Sequence, residues 1–118
     1  MDERMFKERT KKFALRVIRL VEALPKGRVA DMLGTQLLRA GTSVGANYRA
    51  ACRAKSRAHV LSKLGDVEEE ADESGYWMEL IAEAGLMAQS RMAALMKEAD
   101  EIVAMTVASI KTLRRKPG

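Results

Sequence analysis

Apolar residues recur at alternating three- and four-residue spacing along four stretches of this chain, a period that only an α-helix with one buried stripe satisfies. The first stretch carries Phe6, Phe13, Val17, Leu20 and Leu24, with Thr10 in the remaining place of the stripe. Leu24-Pro25-Lys26-Gly27 ends it, because proline biases the residue before it away from helical geometry and glycine accepts a positive φ. A second helix is expected to start between Gly27 and Asp31, to run to about Arg53, and to bury Leu33, Leu37, Ala40, Val44, Asn47 and Ala51. Ala54-Lys55-Ser56 reads as the next turn, with Ser56 able to cap the following helix, although the second and third helices can also be read as continuous.

The third stretch places Val60, Leu64, Val67, Ala71, Ser74, Met78 and Ile81 on one face and stops near Gly85. The fourth begins near Ser90 and carries Met92, Met96, Ala99, Val103, Thr106, Ile110 and Leu113. Arg114, Arg115 and Lys116 close it, where cations favour the negative end of the helix dipole. Short links between long helices fold each one back beside its predecessor. The expected fold is therefore all-α, an antiparallel up-down-up-down four-helix bundle, with residues 1–118 forming one domain. Aromatics at 4% and only two prolines agree with helix rather than sheet.

Compartment and chemistry follow from what the chain contains. One cysteine, Cys52, cannot close an intramolecular disulfide, and no apolar run reaches the ~20 residues that span a bilayer, so a cytoplasmic protein without membrane contact is expected. The acids of Glu68 to Glu73 suggest a di-metal bundle. That design needs Glu-x-x-His pairs, and the single histidine, His59, follows Ser56 at that spacing. Neither a glycine-rich phosphate loop after a strand nor a nucleophile with its own histidine is present, so no enzyme, cofactor or metal site is expected.

The formal charge of +5 is unevenly arranged. From Met32 through Gly65 there is no acid, whereas Asp66 through Glu83 holds acids and no base. In a hairpin turning near Ser56, Arg39 comes level with Asp72 and Glu73, so part of the basic run can pair with the acidic one. Arg49, Arg53, Lys55 and Arg57 lie near the turn, out of reach of most of the acids, and with Lys63 they are the candidate contacts to nucleic-acid phosphates, RNA or DNA. A second band is Lys11, Lys12, Arg16 and Arg19 along the first helix. Aromatics interleaved with those cations for base stacking are absent apart from Tyr48, so sequence-specific reading is not expected.

Some apolar residues remain after one core is filled. Tyr76, Leu80, Ala84 and Met87 form a second stripe on the third helix, Trp77 lies at the edge of its core face, and Leu15 and Met5 stand off the first seam. One reading makes Tyr76, Trp77, Leu80 and Leu15 a subunit interface of a homo-oligomer; the other makes them ordinary scattered surface residues. Gly34, Gly41, Gly45, Gly65 and Gly75 fall inside helices at about 1 kcal/mol each, which close approach of another backbone or a hinge would explain.

The string Gln36-Leu37-Leu38-Arg39-Ala40-Gly41-Thr42-Ser43-Val44-Gly45-Ala46-Asn47-Tyr48-Arg49-Ala50, with Lys63-Leu64-Gly65 and Glu68-Glu69-Glu70-Ala71-Asp72-Glu73-Ser74-Gly75-Tyr76-Trp77-Met78-Glu79-Leu80 after it, resembles a family encoded in intervening sequences of bacterial ribosomal RNA genes. The resemblance implies a four-helix bundle that assembles as a ring, typically a pentamer, with a mostly uncharacterised role. One branch, the accessory variability proteins of diversity-generating retroelements, uses a basic barrel to bind nucleic acid and a reverse transcriptase, which would be the protein partner here. Arg39, Ser43, Asn47, Glu70 and Glu73 fall on the family's recurrent polar positions and are expected as buried or interface polar contacts. Many members continue the Asn with Ile-x-Glu-Gly; this chain departs from them with Tyr48-Arg49-Ala50-Ala51 and falls with the variants that contain Tyr-Trp.

Overall fold

In a computed structural model, which describes residues 2–117, the chain forms four helices: α1 (Glu3–Glu22), α2 (Arg28–Arg53), α3 (Arg57–Glu83) and α4 (Gln89–Arg115). Each packs on its neighbours in chain order and α4 returns to α1, while the backbones of the diagonal pairs α1/α3 and α2/α4 stay apart among the described residues. The result is the antiparallel up-down-up-down bundle, 51 × 21 × 20 Å. The α2/α3 seam is the most extensive and the α1/α4 seam the sparsest.

The helix ends have local causes. Asp2 accepts the Met5 amide at 3.0 Å to start α1, and Ser56 accepts the His59 amide at 3.1 Å to start α3, which settles the α2–α3 break as a true turn. Gly27 enters α2 at a φ of 151°. At the end of α3, Gly85 takes a φ of 75°; its amide bonds to the Ala82 carbonyl and the Leu86 amide to that of Ile81, each at 3.0 Å. That pair of bonds is a Schellman motif, and it turns the chain back so that Met87 tucks into the core.

The core holds Phe6, Phe13, Val17, Leu37, Val44, Val67, Met78, Ile81, Met92 and Ile102. Three expected seam positions shift. In α4, Leu95 and Ile102 are buried, whereas Met96 and Val103 are half-buried against the core; both sets are apolar and adjacent, so the spacing could not choose between them. In α2, Tyr48 rather than Asn47 faces inward, its ring edge-on to Phe6 with centroids 4.7 Å apart. Buried Thr10, Ser74 and Thr106 each donate a hydroxyl proton to the carbonyl one turn earlier, at 2.7 to 2.9 Å, so no buried side-chain polar atom is stranded among the described residues.

Candidate nucleic-acid interface

The α2–α3 turn and the end of α4 lie at the same end of the bundle. Arg57 fixes this relation, since its guanidinium donates to the Leu113 carbonyl in the last turn of α4. Arg49, Arg53 and Lys55 are exposed and form no ion pair among the described residues, and the fold carries Arg114, Arg115 and Lys116 to the same end of the bundle. Three carboxylates near this end are engaged: Asp66 lies 3.6 Å from Lys63, Glu3 lies 3.8 Å from Lys7, and Asp2 accepts the Met5 amide. Of the five cations expected to meet phosphate, Arg49, Arg53 and Lys55 thus remain available, while Arg57 closes a helix end and Lys63 shares Asp66. Nothing local to Arg114, Arg115 and Lys116 signals that they join this group, because the pairing of α4 with the turn is a tertiary fact.

Beside this end opens a cleft of about 650 Å3 lined by Glu3 at the start of α1 together with Tyr48, Cys52, Val60, Leu64 and Leu113. Burial holds both the Tyr48 hydroxyl and the Cys52 thiol above their usual titration ranges, so each stays protonated at neutral pH. Tyr48 is packed into the core edge-on to Phe6, with only 5% of its surface exposed, so the one aromatic near these cations is not free to stack on a base. Among the described residues no three metal-ligating side chains come together, and no helix is long and apolar enough to cross a membrane.

A second polar group spans the outer edge of the α2/α3 seam. Arg39 reaches Glu70 at 3.0 Å and also contacts Glu73, whose Oε1 accepts the Trp77 indole N–H at 3.1 Å. The partners are Glu70 and Glu73, one turn apart on α3, and not the exposed Asp72. Ser43 and Asn47 bond to backbone carbonyls of α2 one turn earlier, at 2.7 and 3.0 Å. Burial pushes the Glu70 carboxyl up from 4.5, against the pull of Arg39.

Of the residues expected at a subunit interface, Tyr76 is 52% exposed and Leu15 45% exposed. Leu80 and Trp77 are half-buried against the chain's own core, and Met87 is in it, so the second stripe of α3 is narrower than the spacing suggested. Val29 and Met32 of α2 are exposed as well, a pair the sequence pattern did not single out.

These observations define a helical bundle with a cation-rich end and half-buried ion pairs on its seams. Residues 3–108 match the 23S rRNA-intervening sequence protein family, and the chain belongs to that family. The fold is similar to the crystal structure of a protein of unknown function from the S23 ribosomal protein family of Bacteroides thetaiotaomicron, with a TM-score of 0.87 and 32% identity, covering 94% of this chain and 99% of that one. No match is found among curated proteins.

Proposed function

We propose that this chain is a non-enzymatic, ring-forming homo-oligomeric adaptor that holds nucleic acid by its phosphate backbone. The observation that carries the reading is the presence of two sets of cations, Arg49, Arg53 and Lys55 from α2 and its turn and Arg114 to Lys116 from the end of α4, at one end of the bundle. Such an arrangement displaces condensed counterions from a polyanion, and symmetry repeats it in every copy. Recognition is of the backbone and not of the bases, because Tyr48 is buried.

Assembly is supported by two of the exposed apolar residues, with Met5, Val29 and Met32 exposed besides them. Leu15 stands on α1 and Tyr76 on α3, two helices on opposite corners of the bundle. One two-fold contact cannot cover both patches. A head-to-tail contact of one patch on the next copy's other patch can, and such contacts form a ring when the rotation between copies closes. A pentamer is the number that resemblance suggests.

The test is binding of single- and double-stranded RNA and DNA across a salt series. Affinity that falls steeply with salt is expected; no binding even at low salt would reject the reading. A second reading, a scaffold for a protein partner such as a reverse transcriptase without nucleic acid, is favoured by the exposed Tyr76 beside the Arg39–Glu73–Trp77 network. Partners captured equally well with and without nuclease would select it.

A further inference from the structure

The α1/α4 seam carries a second, smaller cleft of about 280 Å3 at the end of the bundle away from the basic end. Arg16 and Arg19 of α1 and Arg91 in the first turn of α4 line it, over a floor that includes Leu20, Met87 and Leu95. No carboxylate lines this cleft, and none of the three arginines has an ion-pair or side-chain hydrogen-bond partner among the described residues. Elsewhere on the same seam the chain does pair its charges, since Arg9 is held by Glu98 and Glu101. Three arginines and no carboxylate line one cleft, and that imbalance of charge favours an anion there.

Arginine selects the kind of anion. Its planar fork matches two oxygens of a tetrahedral oxyanion at once, which a halide cannot offer. Volume selects the size: the cleft is smaller than the roughly 300 Å3 at which pockets for drug-sized ligands begin, so it suits a group of a few atoms rather than a whole cofactor. Ala88, which precedes α4, offers no side-chain acceptor to the first-turn amides, so the positive end of that helix adds to the field. We infer that Arg16, Arg19 and Arg91 form an oxyanion site that seats a single phosphate group, separate from the basic end.

The phosphate can be free or part of a polynucleotide, and the experiment separates these sources. The full chain is titrated calorimetrically at low salt with inorganic phosphate, with pyrophosphate, and with a short single-stranded RNA carrying or lacking a 5′-phosphate. Saturable binding of phosphate and pyrophosphate is expected, weakened about tenfold by Arg91→Gln or Arg16→Gln and left unchanged by Lys97→Gln, a change at an exposed position outside both sites. Arg91→Lys keeps the charge but not the fork and is expected to lose several-fold. A 5′-phosphate that strengthens RNA binding only when Arg91 is present identifies a polynucleotide end as the source; a response confined to the inorganic anions identifies free phosphate. Phosphate and pyrophosphate binding that is absent, or equal in wild type and Arg91→Gln, together with indifference to the 5′-phosphate, overturns the site even if RNA binds at the basic end. Pyrophosphate binding without any RNA binding would instead remove the nucleic-acid reading and leave this site standing. Arg16, Arg19 and Arg91 are exposed, so the variants keep the fold, which circular dichroism verifies.

Discussion

Arg9 of α1 clasps Glu98 of α4 with two bonds, Nε to Oε2 at 2.7 Å and Nη2 to Oε1 at 2.9 Å, and adds Glu101 at 3.0 Å. Both carboxylates, Glu98 foremost, raise the pKa of the guanidinium further, so it stays charged throughout the working pH range. The α1/α4 seam is the sparsest in the bundle, and this clasp fastens it. Glu98 is only 16% exposed, which places the pair between surface bridges worth about 0–1 kcal/mol and buried ones that cost about 3–5 kcal/mol to break. Arg9→Met is expected to cost about 1–3 kcal/mol in urea unfolding, much of it from the stranded carboxylate, and Arg9→Met with Glu98→Leu to cost less than the two single changes added together. Additive losses would mean the clasp contributes nothing as a pair.

Gly41 makes a sharper packing prediction. A Cβ there would sit 2.8 Å from both methyl carbons of Val17, so the α1/α2 approach depends on its absence. Gly41→Ala is expected to destabilise by about 1–3 kcal/mol despite the gain in helix propensity. At Gly65 and Gly75 nothing lies within 4 Å, and the same change is expected to stabilise by about 0.5–1 kcal/mol. Thermal unfolding of the three variants checks both signs. If Gly75→Ala weakens assembly instead, that glycine faces a neighbouring copy.

The contrast among these glycines marks what the sequence made legible. The period of Phe6 to Leu24 and of Val60 to Ile81, the proline-glycine break and the Ser56 cap are local, so helices and turns could be read directly. A glycine's neighbour belongs to another helix, and Gly41 looks like Gly65 until α1 is laid against α2. The Arg39–Glu73 pair was readable because a hairpin with a known turn fixes its register. Arg9 and Glu98 are 89 positions apart, with every turn of the bundle between them, so no single hairpin sets their register. The basic end was half legible for the same reason: the turn cations were visible as a run, whereas Arg114 to Lys116 reach them only through the fourth helix.

Glu70 gives a pH signature. Its folded pKa is raised above 4.5 by burial, so in the native state the carboxyl holds its proton at pH values where the unfolded chain has lost it. Stability from this group is therefore present below about 4.5 and is lost as pH rises through the higher folded value. Glu70→Gln removes that titration. The difference in unfolding free energy, wild type minus variant, is expected to fall as pH rises from about 4 toward neutrality. A difference that rises would show that Arg39 outweighs burial.

Self-association is tested at its two patches separately. Tyr76→Glu and Leu15→Glu each place a charge on one side of the proposed head-to-tail contact, and both sites are open in the protomer, so neither change disturbs the core. Sedimentation velocity is expected to give an oligomer for wild type and a helical monomer for either variant. Mixing the two variants adds a decisive arm. In a heterologous contact a Tyr76→Glu copy still offers an intact Leu15 patch, and a Leu15→Glu copy an intact Tyr76 patch, so the mixture should form one heterodimeric junction and no ring. A wild-type chain that stays monomeric at micromolar concentration rejects the ring.

Arg57 and Arg53 are close in sequence and are expected to fail in different ways. Arg57 holds the Leu113 carbonyl, so Arg57→Ala frays the end of α4, read as faster amide exchange over its last turn and a loss of about 1 kcal/mol. Arg53 touches no side-chain partner among the described residues, so Arg53→Glu should leave stability within about 0.5 kcal/mol of wild type. In nucleic-acid binding the order reverses. Arg53→Glu with Lys55→Glu should weaken affinity for any sequence alike and flatten the salt dependence by about 0.7 to 0.9 in log–log slope for each phosphate no longer neutralised. If these reversals change neither affinity nor slope while binding persists, the phosphates are held elsewhere on the molecule, and the second band along α1 becomes the surface to mutate.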